Sequence, residues 1–259
     1  MIDILKARIQ QGKCTIPFPA DESTLAQRFR GLPDINQDQC DLGCTDCITC
    51  CPTEAISKQK SLSSERAHLQ IDLGKCLFCG ECQNACAKNV IHFTQNYRLA
   101  VNRREELLYR GETLQLAHSL KKEIRRLFGR SLKLRQVSAG GCNGCEVDIN
   151  VLSTTVYDLG RFGIQIVASP RHADGLIITG PVTENMRAAL LKTFAAVAAP
   201  RIIIAVGTCA ISGGLFAGNS TVHDGIGDLL PVDLCIPGCP PHPYTILDGL
   251  LRLLAKIGE

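Results

Sequence analysis

Two dense runs of cysteine lie in the first ninety residues, and one repeats the other. The second reads Cys76-Leu77-Phe78-Cys79-Gly80-Glu81-Cys82-Gln83-Asn84-Ala85-Cys86. The first is less regular: Cys40-Asp41-Leu42-Gly43-Cys44-Thr45-Asp46-Cys47-Ile48-Thr49-Cys50-Cys51-Pro52. Cys44 and Cys79, Cys47 and Cys82, and Cys51 and Cys86 are each 35 residues apart, whereas Cys40 and Cys76 are 36 apart. One extra residue therefore lies between Cys40 and Cys44, Cys51 takes the fourth place, and Cys50 is left over. Thr53–Ile56 and Lys88–Ile91 correspond as the exits of the two copies.

The chemistry follows from the spacing. The chain has 15 cysteines; an odd count, tight local spacings and no signal peptide argue for thiolate ligands rather than a disulfide framework. The second run has the C-x₂-C-x₂-C-x₃-C spacing of bacterial ferredoxins, with Ala87 where Pro is usual, and in that pattern the fourth cysteine serves the other cluster. We therefore assign Cys40, Cys44, Cys47 and Cys86 to one 4Fe–4S cluster and Cys76, Cys79, Cys82 and Cys51 to a second. Zinc knuckles are the competing reading. Two overlapping four-cysteine runs fit them less well, because each zinc needs only four thiols. Cys14, with no thiol near it in sequence, is not placed in either set.

Phe29-Arg30-Gly31-Leu32-Pro33, the two runs and Asn96-Tyr97-Arg98-Leu99-Ala100-Val101 resemble the ferredoxin subunit of formate hydrogenlyase, over residues 1 to about 108. The residues before 40 read as an arm that wraps or docks. A basic amphipathic helix is expected over 113–129, with Ala117, Leu120, Ile124, Leu127 and Phe128 on its apolar side and Lys121, Lys122, Arg125 and Arg126 opposite. The domains are thus expected at 1–112 and 113–259.

Beyond residue 131 apolar extended runs alternate with helical ones. Strands are expected at Leu132–Val137, Ile164–Ala168, Gly175–Thr179, Ile202–Val206 and Val232–Ile236, and helices at Asp148–Leu159, Glu184–Ala198 and Tyr244–Lys256. Thr183 reads as an N-cap and Pro200 as a stop. This alternation means a mainly parallel sheet covered by helices, so an α+β ferredoxin-like unit precedes an α/β flavodoxin-like one. Three strands lead into cysteine loops that hold Cys142 and Cys145, Cys209, and Cys239. Ligands of open α/β sheets bind beyond the carboxyl ends of the strands, so these four thiols converge on one site, for which zinc also remains a candidate. Cys235 alternates with strand core and reads as a buried apolar residue.

The loops Gly140-Gly141-Cys142-Asn143-Gly144-Cys145-Glu146, Ser169-Pro170-Arg171-His172-Ala173-Asp174, Gly207-Thr208-Cys209-Ala210 and Ile236-Pro237-Gly238-Cys239-Pro240-Pro241 resemble the small subunit of group 4 nickel–iron hydrogenases, related to the 20 kDa subunit of complex I. The complex I relatives have adjacent cysteines where this chain has Cys142-x-x-Cys145, which favours the hydrogenase branch. The resemblance implies a third 4Fe–4S cluster on Cys142, Cys145, Cys209 and Cys239. It also implies an electron-transfer role beside a large subunit that carries the Ni–Fe site. Further subunits of a membrane-associated complex are implied, with a donor such as ferredoxin or a formate- or CO-oxidising module. The chain would then be cytoplasmic and peripheral at the membrane. An equivalent subunit of a complex without nickel is the alternative.

Other classes fit poorly. A net charge of +3 and 5% aromatics without Trp argue against nucleic-acid binding. No apolar run reaches the roughly 20 residues of a membrane helix. Glu146 stands as either a loop anchor or a proton acceptor, Arg171 and His172 as a cap or subunit contact, and His242 as a helix-start residue.

Overall fold

The computed structural model describes residues 2–20, 25–41, 43–60, 67–120, 126–128 and 131–257. Helix α1 (Ile2–Gln11) buries none of its residues. The segment after it runs along the far half of the chain: Ile16 N donates to Val156 O, and Arg161 donates to the carbonyls of Ile16 and Phe18. Phe18 is buried there against Tyr97 and Tyr244, as expected of a wrapping arm.

The two cysteine runs fold as copies. Each places its third cysteine in a short helix, Cys47 in α2 (Asp46–Thr49) and Cys82 in α3 (Glu81–Ala85). Strand β1 (Pro33–Ile35) pairs antiparallel with β4 (Ile91–Phe93), while β2 (Ile56–Lys60), β3 (Ala67–Asp72) and β5 (Leu108–Tyr109) form an antiparallel sheet. Leu69, Ile71, Leu73, Ile91 and Leu107 fill the space between.

The second unit has five parallel strands: β6 (Leu132–Ser138), β7 (Ile164–Ile166), β8 (Gly175–Thr179), β9 (Ile202–Val206) and β10 (Leu234–Ile236). Their order is β7-β6-β8-β9-β10, the 2-1-3-4-5 order of flavodoxin-like sheets. Every residue of β8 and β9 is buried because both faces of a parallel sheet are covered, which is why these strands are apolar throughout.

Helix α4 (Gly144–Val151) begins inside the cysteine loop, four residues before the expected start, and is over well before Leu159. Ser153 and Thr154 explain the early end: Ser153 N bonds Asn150 O, and the Thr154 hydroxyl donates to Val151 O, giving the backbone an alternative to the helix. Helix α5 (Glu184–Ala196) stops four residues before Pro200, and Thr183 occupies its N-cap without a side-chain bond. A one-turn helix, α6 (Thr208–Ser212), follows β9, and α7 (Pro243–Leu253) is buried along its whole length. His242 caps α7, its Nδ1 accepting from Tyr244 N at 3.2 Å.

The expected connector helix is corrected over residues 113–120. Residues 121–125 and 129, which include Lys121, Lys122, Ile124 and Arg125, lie outside the described residues. Residues 113–120 form an extended strap, and helix appears at 126–128. The strap gives its amides to distant partners rather than to its own carbonyls: Ala117 N to Ala100 O, His118 N to Asn102 Oδ1, and Leu120 N to Leu253 O. Leu99, Ala100 and Val101 are buried at the same seam, where Val101 pairs with Cys235.

Candidate metal centre

The fourth cysteine of each run crosses to the other. Cys40, Cys44, Cys47 and Cys86 line one cavity, with Leu69, Val90 and Ile91 behind them. Cys51, Cys76, Cys79 and Cys82 line a second, backed by Ala55, Ile71 and Phe93. Cys51 Sγ accepts a hydrogen bond from Ala55 N and Cys86 Sγ from Val90 N, both at 3.3 Å, so the repeat extends to the bonds that steady the sulfurs. Around the first cavity, Lys58 donates to the carbonyls of Asp41 and Cys44. Lys88 meets Asp41 at 2.6 Å, and this pairing holds the Asp41 carboxyl below the usual carboxylate range.

The third group assembles at the carboxyl edge of the parallel sheet. Cys142 enters from the β6–α4 loop and Cys145 from the first turn of α4, whose N-cap Asn143 takes a left-handed φ of 71°; Cys209 comes from α6 and Cys239 from the loop after β10. Burial first, then the nearby charges of Glu146, Cys209, Cys239 and Cys142, push the Cys145 thiol up, as four thiols in one neighbourhood would.

Two glycines shape the cradle. A Cβ on Gly207 would lie 2.4 Å from Cys145 Sγ, and one on Gly214 would lie 3.0 Å from Cys209 Sγ. Glu146, 6% exposed, accepts from the Ser138 hydroxyl at 2.5 Å and the Thr179 hydroxyl at 2.7 Å, tying the loop to the ends of β6 and β8.

The donor sets fit 4Fe–4S groups. Thiols spread around a cavity suit a cubane, whereas among the described residues no three Cys, His, Asp or Glu could hold a single metal ion. Burial pushes the thiols of Cys76 and Cys82 up to about 12 and those of Cys47 and Cys209 up to about 11. Ionising them therefore calls for a cation in their midst.

The remaining candidates fall elsewhere. Cys14 is exposed, and Cys235 is buried in β10, 3% exposed, as the strand pattern implies. Arg171 and His172 sit exposed on a single helical turn before β8. Sequence reasoning missed Thr208. Its hydroxyl, 1% exposed, donates to Cys76 O at 2.8 Å and Gly238 O at 3.1 Å, joining the second and third groups. Nothing in a Thr beside a cysteine signals a partner 132 residues away in the chain.

Three groups of four thiols on a duplicated unit and a flavodoxin-like sheet define an iron–sulfur protein. The 4Fe-4S dicluster domain matches residues 39–90, and the NADH ubiquinone oxidoreductase, 20 Kd subunit family matches residues 142–253. The probable membrane-bound hydrogenase subunit mbhJ of Pyrococcus furiosus is 38% identical over 53% of this chain and 82% of its own length. Formate hydrogenlyase subunit 7 of Escherichia coli is 42% identical over 54% of this chain, and the match spans 55% of that relative. A subunit K of cyanobacterial NAD(P)H-quinone oxidoreductase, from Synechococcus, is 40% identical over 44% of this chain and 48% of its own length. The chain belongs to the family of the 20 Kd subunit of NADH ubiquinone oxidoreductase.

Proposed function

We propose that this chain is the electron-transfer subunit of a hydrogenase-type oxidoreductase complex. It would carry three 4Fe–4S clusters between an external donor or acceptor and the Ni–Fe site of a partner large subunit. Each cluster, when bound, would supply one-electron transfer. The chain's own residues hold, order and insulate the three positions.

The observation that carries this reading is the seam between the second and third groups. The hydroxyl of Thr208 ties the Cys76 loop to the Gly238–Cys239 loop. In this reading the first group stands at the other end of the relay, giving the order Cys40 set, Cys51 set, Cys142 set. At the far end Cys142 and Cys239 are exposed, and Leu215 and Phe216 in the turn after Cys209 expose large apolar side chains. Such a rim suits a protein partner.

The twelve ligands are Cys40, Cys44, Cys47 and Cys86, then Cys51, Cys76, Cys79 and Cys82, then Cys142, Cys145, Cys209 and Cys239. Residues 1–112 and 113–259 act as two modules closed on each other. No helix among the described residues is long and apolar enough to cross a membrane. Attachment at the cytoplasmic membrane face would therefore come through other subunits, and electrons from a ferredoxin or from a formate- or CO-oxidising module.

The likeness to the cyanobacterial subunit K supports a second reading, the same relay in a complex without nickel. Nickel analysis of the purified complex, with hydrogen-dependent dye reduction, separates the two. Absence of both nickel and hydrogen activity would sink the hydrogenase reading.

A further inference from the structure

The first cysteine run has one thiol more than its copy: 35 residues beyond Cys50 stands Ala85. Cys51 and Cys86 are the equivalent ligands, with the same amide-to-sulfur bond and the same place in their cavities. Cys50 nevertheless stays with the second group. It is half-buried, its Sγ lies 3.5 Å from Cys47 O, and it packs on the core together with Cys51 and Phe78. A fifth thiol thus stands one residue along the chain from Cys51, one of the four that line the second cavity. Cys50 is also the C-cap of α2, one residue past its end, so moving its side chain disturbs no further turn.

We propose that Cys50 is a reserve ligand of the second group. When Cys51 does not serve, Cys50 takes its place on a 4Fe–4S cluster held by Cys76, Cys79 and Cys82. The inference rests on reading that group as a cluster site. In the exchange the iron–sulfur bond to Cys51 breaks and one to Cys50 forms. Cys50 releases its proton to solvent, the freed Cys51 thiolate takes one up, and no electron moves. The first group has no such reserve, because Ala85 offers a methyl where Cys50 offers sulfur.

The test uses the full chain purified anaerobically with its clusters, as wild type, Cys50→Ala, Cys51→Ala and the double variant. Iron and sulfide are counted, and the reduced proteins are compared by electron paramagnetic resonance. Cys50→Ala should match wild type, at about twelve irons per chain. Cys51→Ala should keep that count with one altered cluster signal, and the double variant should lose the second cluster or one of its irons.

Equal loss in Cys51→Ala and the double variant overturns the proposal. Loss in Cys50→Ala alone also overturns it, by making Cys50 the resident ligand. If Cys51→Ala does not fold, Cys51→Ser is compared with Cys50→Ala/Cys51→Ser: different spectra support the exchange, and identical spectra refute it. A wild-type chain with no cluster on the second group would instead defeat the underlying reading, and the proposal with it.

Discussion

Gly207 offers a sharp test of the third group. Its backbone, at φ 89° and ψ 155°, lies in a region essentially confined to glycine, and a Cβ there would stand 2.4 Å from Cys145 Sγ. For Gly207→Ala the backbone alone costs about 1–3 kcal/mol. Crowding a packed site adds about 1–3 kcal/mol more. The sum, about 2–6 kcal/mol, is a large share of the ~5–15 kcal/mol that stabilises a native protein. Relief would come most directly from displacing Cys145, so the damage should concentrate on one cluster.

Iron should fall by about a third, from about twelve per chain to about eight, with one reduced-state signal missing. Gly218→Ala is the control. Gly218 also has a positive φ, 78°, but a Cβ there meets nothing within 4 Å, so its iron content should stay whole. A Gly207→Ala chain with full iron, an unchanged spectrum and an unchanged melting temperature would refute the account of the cradle.

Thr208→Val keeps the shape and removes the hydroxyl, leaving Cys76 O without the donor it has here. The expected loss is about 1–3 kcal/mol, read as a melting temperature lower by about 2–4 °C per kcal/mol; an unchanged midpoint would show that the bond does not brace the seam. Cys86→Ala should strip the cluster of Cys40, Cys44 and Cys47 while leaving the Cys76 set loaded, and spectra showing the reverse would overturn the crossed assignment.

His242 supplies a pH dependence. Burial lowers its pKa, so the unfolded chain takes up a proton before the folded one does. Its contribution to stability is therefore present above the unfolded value of about 6.5 and is lost as pH falls through and below it. His242→Gln should flatten that slope in thermal melts between about pH 5 and 7; an unaltered slope would count against it.

The parallel strands were legible because a sheet covered on both faces demands unbroken apolar runs, and Gly175–Thr179 and Ile202–Val206 match residue for residue. The 35-residue repeat picked out Cys51 rather than Cys50 as the partner of Cys86, and the ferredoxin spacing gave the expectation that the two cross, which is how the two cavities are lined. The helix expected at Asp148–Leu159 was misplaced because side-chain bonding by Thr154 outweighed the apolar spacing. The strap at 113–120 was misread for a related reason. Its apolar residues are buried by the seam, and its amides are satisfied by Ala100, Asn102 and Leu253, none of which a local pattern reveals. Of the third group, the convergence of loops followed from the sheet rule. The cradle glycines and the Glu146 anchor belong to contacts across the sheet, which period and spacing do not encode.

Beside the apolar core that runs across both units, the polar ties of the seam are small: the hydroxyl of Thr208 on Cys76 O, that of Ser212 on Gly74 O, the amide of Asn102 on Asp233 O, and the short pairing of Val101 with Cys235. Between two free proteins such contacts would have to compete with dilution. Here the strap after residue 112 tethers one surface to the other, and a short tether sets a local concentration on the order of millimolar. Closure then no longer depends on how much of either unit a cell makes. A contact of only micromolar strength, once tethered in this way, would leave the two cluster loops apart only about a thousandth of the time.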